Sequence, residues 1–177
     1  MAAILAFAGS NSSTSINFKL VKHTISLVQS HDIQTLNMAE HSFPMYSEDY
    51  EKEHGFSNAL MKLKDNIKKS EGIILSANEH NGNPSAYFKN VLDWLSRLDR
   101  NFMEDTKVLL MSASPGRYGG SRSLGILKNM LPKFGGEVLA TFSLKSFNDN
   151  FGDDGILNGD LKSEHQTALN TFLDSLK

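Results

Sequence analysis

Three stretches of the chain gather polar groups suited to chemistry, and each directly follows a short apolar run. The first is Gly9-Ser10-Asn11-Ser12-Ser13-Thr14-Ser15, after the run Ala2 to Ala8 and before an amphipathic segment opening at Ile16. The N–H groups at a helix start lack carbonyl partners and face the positive end of the dipole, so a phosphate is favoured there. Hydroxyls of Ser10, Ser12, Ser13, Thr14 and Ser15 add donors, although the same composition also reads as a Ser-rich turn ending in an N-cap. The loop lacks Gly-Lys-Ser/Thr and GxGxxG, so a nucleoside triphosphate is not indicated. The second stretch, Asn78-Glu79-His80-Asn81-Gly82-Asn83-Pro84, follows Gly72 to Ala77. Asn-Gly and Pro mark a tight turn there. Glu79 and His80 supply a carboxylate and an imidazole suited to acid–base work, although adjacent side chains in a turn often point apart. The third stretch, Ser112 to Arg122, contains Gly116, Gly119 and Gly120, which let a backbone adopt positive φ or approach a flat ligand closely. One glycine suffices for a tight turn, so three tilt this loop towards ligand contact.

The elements that must hold these loops alternate along the chain. Apolar runs at Ala2 to Ala8, around Ile33 and Leu36, and at Gly72 to Ala77, Lys107 to Ala113 and Glu137 to Ser143 read as strands. Between them, helical spacing covers Ile16 to Gln29, Phe56 to Lys69, Pro84 to Leu98 and Ser121 to Phe134, and a last helix covers Lys162 to Leu176. Pro84 suits a helical first turn, where a missing N–H has no cost. The segment between Leu36 and Phe56 reads as a long polar connection. Unbroken apolar strands separated by helices mark a parallel sheet covered on both faces, here an α/β doubly wound three-layer sandwich in a single domain over residues 1–177. In such sheets ligands sit beyond the carboxyl ends of the strands, which is where all three loops emerge.

Composition narrows the classes. With 177 residues, 40% apolar and 21% charged, the chain can bury a core, and a net charge of −2 is unlike that of a basic nucleic-acid binder. Cysteine is absent, which excludes disulfides, thiolate metal sites and a cysteine nucleophile. No run reaches the roughly 20 apolar residues of a membrane-spanning helix. The N-terminus has no basic segment ahead of its apolar run, so it reads as a strand of a cytoplasmic protein and not as a signal peptide. The six histidines show no metal-ligand spacing. The stretch Asn148 to Gly155 resembles a calcium loop only until its twelfth position from Asn150, which is Leu161 where a bidentate Glu is needed.

Taken together, these motifs resemble the NADPH-dependent FMN reductase family of flavodoxin-like proteins, which also contains bacterial quinone, azo and chromate reductases. The family's opening G-S-x-R-x-x-S-x-N is similar to Gly9 to Asn17, and its P-E-Y-N-G-S is similar to Asn78 to Asn83. Its L-K-N-A-x-D-W-x-S-R resembles Phe88 to Arg97, its S-P-G-x-x-G-G resembles Ser114 to Gly120, and its L-P-L-Y-x-E-D resembles Phe43 to Asp49. Two departures stand out: the phosphate-binding Arg falls at Ser12, and the Pro and Tyr of the middle loop become Asn78 and His80.

The resemblance implies a flavodoxin-like α/β/α sandwich with five parallel strands in the order 2-1-3-4-5 and FMN at the switch point, an arrangement for which flavodoxin is the general example. It implies FMN as cofactor and NADPH or NADH as co-substrate. Ser10, Ser12, Ser15 and Asn17 would hold the phosphate, with Ile16 beside them. Asn78, Glu79, His80 and Asn81, together with Ser114, Pro115, Gly116, Tyr118, Gly119 and Gly120, would face the ring. Arg117 and Arg122 are candidates for cofactor phosphates. The flavin supplies the redox chemistry, so no catalytic side chain is required, and His80 is the one candidate for such a role. The partners implied are a small-molecule electron acceptor and a second copy of the chain, as a homodimer or homotetramer, with neither nucleic acid nor membrane. In the helix from Pro84 to Leu98, Tyr87, Phe88, Val91, Leu92, Trp94 and Leu95 offer more apolar surface than one buried face needs, which reads either as a deeply packed helix or, as the resemblance implies, as the interface between two copies. The same fold also serves flavin-binding electron carriers and redox-sensing interaction proteins with little turnover of their own, but near-neutral charge and the glycines of the third loop favour the enzyme.

Overall fold

A computed structural model describes residues 1–176; Lys177, which the single-domain expectation included, lies outside the described residues. The first half of the chain runs through β1 (Ala3–Ala8), α1 (Ile16–Ser26), β2 (Asp32–Leu36), α2 (Glu48–His54), α3 (Asn58–Lys68), β3 (Gly72–Ser76), β4 (Glu79–His80) and β5 (Asn83–Pro84). The second half runs through α4 (Ala86–Leu98), β6 (Lys107–Ala113), α5 (Ser121–Met130), β7 (Glu137–Leu144), α6 (Phe147–Asn150), β8 (Phe151–Gly152), β9 (Gly155–Ile156) and α7 (Gly159–Ser175). The main sheet has the order β2-β1-β3-β6-β7 with every pairing parallel. Counting only its own strands, this is the expected 2-1-3-4-5 order. β4–β5 and β8–β9 form two small antiparallel hairpins.

The sheet is buried on both faces because consecutive residues of its inner strands are apolar, so that both alternating sets of side chains are. Leu5, Phe7, Ile73, Leu75, Val108 and Leu110 belong to one core, with Leu60, Leu63 and Ile67 of α3 and Phe88, Val91 and Leu92 of α4. Ile4, Ala6, Ile74, Leu109 and Met111 belong to the other, with Leu20 and Val21 of α1 and Leu169 and Phe172 of α7. Within this second core His165 is almost fully buried, and its Nε2 lies 2.9 Å from Thr24 Oγ1, whose hydroxyl reaches Leu20 O at 2.8 Å. Burial, and secondarily His23 nearby, lowers the His165 pKa to about 4.

Several boundaries differ from the sequence reading, and capping explains most of them. Ser85 Oγ accepts from Phe88 N–H, so α4 begins after Pro84, which pairs with Glu79 in the hairpin instead of entering the first turn. Asn158 caps α7 and starts it at Gly159, three residues ahead of the expected Lys162. Pro132 marks where α5 gives way to a 3₁₀ turn over Leu131–Phe134. The long connection holds an unexpected helix, α2, capped by Ser47 and closed by Gly55 at φ +66°. The stretch compared with a calcium loop is the α6 turn and the β8–β9 hairpin.

The apolar stripe of α4 is covered within the chain, which removes the sequence argument for a dimer interface there. Phe88, Val91, Leu92, Trp94 and Leu95 are all buried. The connection after β2 lies over them: Asn90 Nδ2 and Trp94 Nε1 donate to Pro44 O at 2.9 and 2.8 Å, and Tyr46 N–H donates to Asn90 Oδ1 at 2.7 Å. Tyr87 donates its hydroxyl towards Met38 O and His41 O. Arg97 then grips Glu51 of α2 through Nε and Nη2 at 2.9 and 3.1 Å. A polar-looking connection thus acts as a lid on one core.

Candidate functional site

The carboxyl ends of β1, β3 and β6 bring the first, second and third loops to one rim, where they enclose a cleft of about 350 Å³. Backbone bonds continue the ladder past the strand ends, Gly9 N–H to Ser76 O at 2.9 Å and Ala77 N–H to Met111 O at 2.8 Å, so the loops leave the sheet in register. Gly9 has no room for a side chain: a Cβ there would stand 2.6 Å from the Phe88 ring.

Asn17 ties the rim together. Its Oδ1 accepts from Ala113 N–H and from the Ser76 hydroxyl, both at 2.8 Å, and its Nδ2 donates to Ala113 O at 3.1 Å. One buried amide thereby joins the start of α1 to the ends of β3 and β6. The sequence assigns Asn17 to a phosphate; the structure engages its oxygen fully and leaves one Nδ2 hydrogen.

The first loop turns its hydroxyl oxygens inward as acceptors. Ser10 Oγ accepts from Ser12 N–H at 3.3 Å, Ser12 Oγ accepts from Thr14 N–H at 3.3 Å, and Ser15 Oγ caps α1 through Phe18 N–H at 3.2 Å. Ser15 is therefore an N-cap, and it lines the cleft as well. The N–H groups of Ile16 and Asn17, in the first turn of α1, have no intrahelical acceptor and open on the same cleft.

The second loop is a hairpin. His80 pairs with Asn83 across Asn81 (φ +53°) and Gly82 (φ +77°), the left-handed pair that a two-residue turn demands. Alternation along β4 separates Glu79 from its neighbour. Glu79 Oε2 accepts from Ser123 N–H at 2.9 Å in the first turn of α5, a helix whose own N-cap, Gly120, has no side chain to offer. The acid–base pair suggested by Glu79 and His80 is therefore not assembled. His80 Nε2 instead lies 3.0 Å from Asn78 Nδ2, and Asn78 Oδ1 is buried without a hydrogen-bond partner.

The third loop corrects the argument from its glycines. Gly119 (φ +58°) and Gly120 (φ +81°) need left-handed backbone, and a Cβ on either would overlap the hydroxyl of Ser143 or Ser112 respectively. Both close the loop against the strand ends. Gly116 N–H bonds Ser114 Oγ at 3.0 Å, and Arg117 stacks over the Tyr118 ring at 4.6 Å while donating to its hydroxyl at 2.6 Å. Arg122 lies along Gly82 of the hairpin.

Of the expected residues, Ser10, Ser12, Ser15, Ile16, Asn17, Asn78, Glu79, His80, Ser114 and Pro115 line the cleft. Asn81, Gly116, Tyr118, Gly119 and Gly120 do not. Thr14 and Ala113 join the lining; Thr14 was legible as one hydroxyl of the loop, and Ala113 only as the last residue of its strand.

Neutral donors at a helix start and an orphaned buried acceptor on one cleft fit a phosphate monoester linked to a ring that presents an N–H, the chemistry of FMN. Five parallel strands with such a cleft at the switch point define a flavodoxin-like protein. More narrowly, the chain belongs to the family described as NADPH-dependent FMN reductase, whose model matches residues 2–149.

A quinone reductase of Escherichia coli K12 is 32% identical over 88 residues, 50% of this chain and 47% of that protein, so the match spans about half of the relative. An NAD(P)H-dependent FMN reductase of Pseudomonas aeruginosa is 27% identical over 129 residues, 72% of this chain and 68% of the relative. Among solved structures, the flavoenzyme NAD(P)H:(acceptor) oxidoreductase FerB of Paracoccus denitrificans superposes with a TM-score of 0.78 at 21% identity, covering 98% of this chain and 96% of its own. The apo form of an NADH:FMN oxidoreductase gives 0.75 at 19% identity, covering 100% and 91%. At such identities the structural likeness is one of fold.

Proposed function

We propose that the protein is an FMN-dependent NAD(P)H oxidoreductase that passes two electrons from a nicotinamide to a small organic acceptor such as a quinone, an azo compound or free flavin. The observation that supports this most is the meeting of three loops in one cleft, whose lining includes both the first turn of α1, with N–H groups that lack intrahelical acceptors, and Asn78, whose buried Oδ1 has no hydrogen-bond partner. FMN, when bound, would supply the hydride-accepting ring, and the protein's own work is then binding and orientation. The first-turn N–H groups of Ile16 and Asn17 and the hydroxyls of Ser10, Ser12, Thr14 and Ser15 would hold the phosphate. Asn78 would accept from a ring N–H, and Ser114 and Pro115 would close the other wall. Glu79 acts as a positioning residue, since its bond to Ser123 N–H fixes the hairpin against α5. His80 is the lining side chain able to hold or give a proton near the acceptor.

Anaerobic mixing of the FMN-reconstituted protein with NADPH or NADH tests this reading: rapid bleaching of the flavin band, reversed by a quinone, is expected. Protein that shows no saturable flavin binding, or binds flavin without bleaching, would refute it. We place the protein in the cytoplasm as a homodimer or homotetramer. The assembly rests on the family resemblance, since α4 buries its apolar stripe internally, and a monomer mass by light scattering at micromolar concentration would remove it.

A further inference from the structure

We propose that β7, the outer strand of the sheet, is an interface on which a second copy of the chain adds its own β7 antiparallel, joining the two sheets into one. This rests on the expectation above that copies assemble, and it names a surface they use. β7 ends the order β2-β1-β3-β6-β7, so it has a hydrogen-bonded neighbour on one side only. In a parallel ladder, alternate residues turn their backbone groups to the same neighbour. Leu144 O accepts from Ser114 N–H at the end of β6, so Leu144 and Phe142 face β6, and Thr141 and Ser143 present N–H and C=O outward. Sheets usually blunt such an edge with lysine, proline or a very short strand. β7 has none of these over its 8 residues, and its one charge is Glu137 at the start. The extra residue at Leu139 leaves Ala140 to Leu144 in regular register.

A groove of about 800 Å³ opens along this edge, with Leu139 to Ser143 as its floor and α5 and α7 as its walls. Small residues on the walls, Ser121 and Gly125 on one side and Ser163, Thr167 and Thr171 on the other, let a second pair of helices approach. The occupant follows from self-complementarity. Antiparallel pairing centred on Thr141 sets that residue against its own copy as a hydrogen-bonded pair. The same register brings Glu137 of each copy to Lys145 of the other, since the two stand at equal distances on either side of Thr141. Both are exposed, and neither has an ion-pair partner among the described residues. Two symmetry-related ion pairs thus flank an uncharged centre, the pattern of an isologous contact. Ser143 links this edge to the cleft: its Oγ donates towards Tyr118 O and Gly119 O at 3.2 and 3.1 Å, so pairing here would brace the third loop.

The chain has no cysteine, so one introduced at the centre reports on this contact alone, whatever other surfaces the copies share. Cα atoms of a hydrogen-bonded antiparallel pair stand about 5.5 Å apart, within disulfide range. Thr141→Cys is expected to form a disulfide-linked dimer under mild oxidation about tenfold faster than Gln29→Cys, an exposed control. Adding Glu137→Lys sets like charges together and should return the rate to that of the control. Adding Lys145→Glu as well restores opposite pairs and should recover it. A Thr141→Cys rate no higher than the control's overturns the proposal, as does a rate that charge reversal leaves unchanged. The light-scattering mass of the unmodified protein separates this surface from assembly itself. An oligomer that does not cross-link at residue 141 refutes the surface, whereas a monomer refutes both.

Discussion

At the residue scale, the Asn17 amide, the Ser112 hydroxyl and the two left-handed glycines decide how the rim is built. Removing the Asn17 side chain leaves the buried Ala113 N–H without its acceptor, so Asn17→Ala should lower stability by about 3 kcal/mol. A urea transition shifted in midpoint at unchanged slope is the expected signature. Ser112 is fully buried and its hydroxyl has no partner, so Ser112→Ala should be neutral or stabilising by about 1 kcal/mol in the same assay. Gly120→Ala should cost more than about 2 kcal/mol, from left-handed strain and overlap with Ser112 together. Combining it with Ser112→Ala should remove the closer of the two contacts, the Cβ of residue 112 remaining 3.0 Å away, and leave about 1–2 kcal/mol of left-handed strain, a coupling that a double-mutant cycle reads directly. Residue types near the cleft were legible in the sequence, but their direction was not. Asn17 and Glu79 were expected to face a ligand, and both are engaged by backbone or hydroxyl groups from distant segments. Nothing in local spacing announces a partner 96 residues away.

At the scale of elements, helices with an apolar stripe and strands with an apolar run were read to within a few residues, because burial writes its period into the sequence. α2 escaped because none of its residues is buried; only Ser47, the acidic first turn and Gly55 announced it. The wide stripe of α4 left a packed helix and an intermolecular face both open, because the segment that covers it looks polar. That segment nevertheless brings Met38 and Phe43 into the core, packs Tyr46 edge-on against Trp94 and offers Pro44 O to both Asn90 and Trp94. The packing of α1 against α7 has a pH dependence. His165 takes up a proton at about pH 4 when folded and near its ordinary 6.5 when unfolded. Between those values the unfolded chain binds more protons, so stability is full above 6.5 and falls as pH drops towards 4, by up to about 3 kcal/mol. His23, also lowered by burial and then by Lys162, adds in the same direction. His165→Leu should flatten the melting temperature against pH across this window, since Thr24 keeps Leu20 O as its acceptor.

At the scale of the whole molecule, the shared rim of the three loops was the part most open to sequence reasoning, because a parallel sheet sends every such loop to one edge; the strand order, which periodicity does not fix, came from the family resemblance. A ligand that binds only the folded form stabilises it by mass action. At about one hundred times its dissociation constant, a flavin should add about 2.7 kcal/mol and raise the melting temperature by about 5–10 °C for a chain of this size. A thermal scan with and without FMN checks this, and an unshifted transition under saturating ligand contradicts a binding cleft. The Asn17 tie also has a consequence for biosynthesis. The serine loop leaves the ribosome early, yet the amide that seats it must await residue 113, long after α3 and α4 have been translated. A nascent chain shorter than that has no seat for the vitamin-derived ligand, which therefore cannot template early folding; loading must follow completion of β6, and truncated translation products should remain colourless.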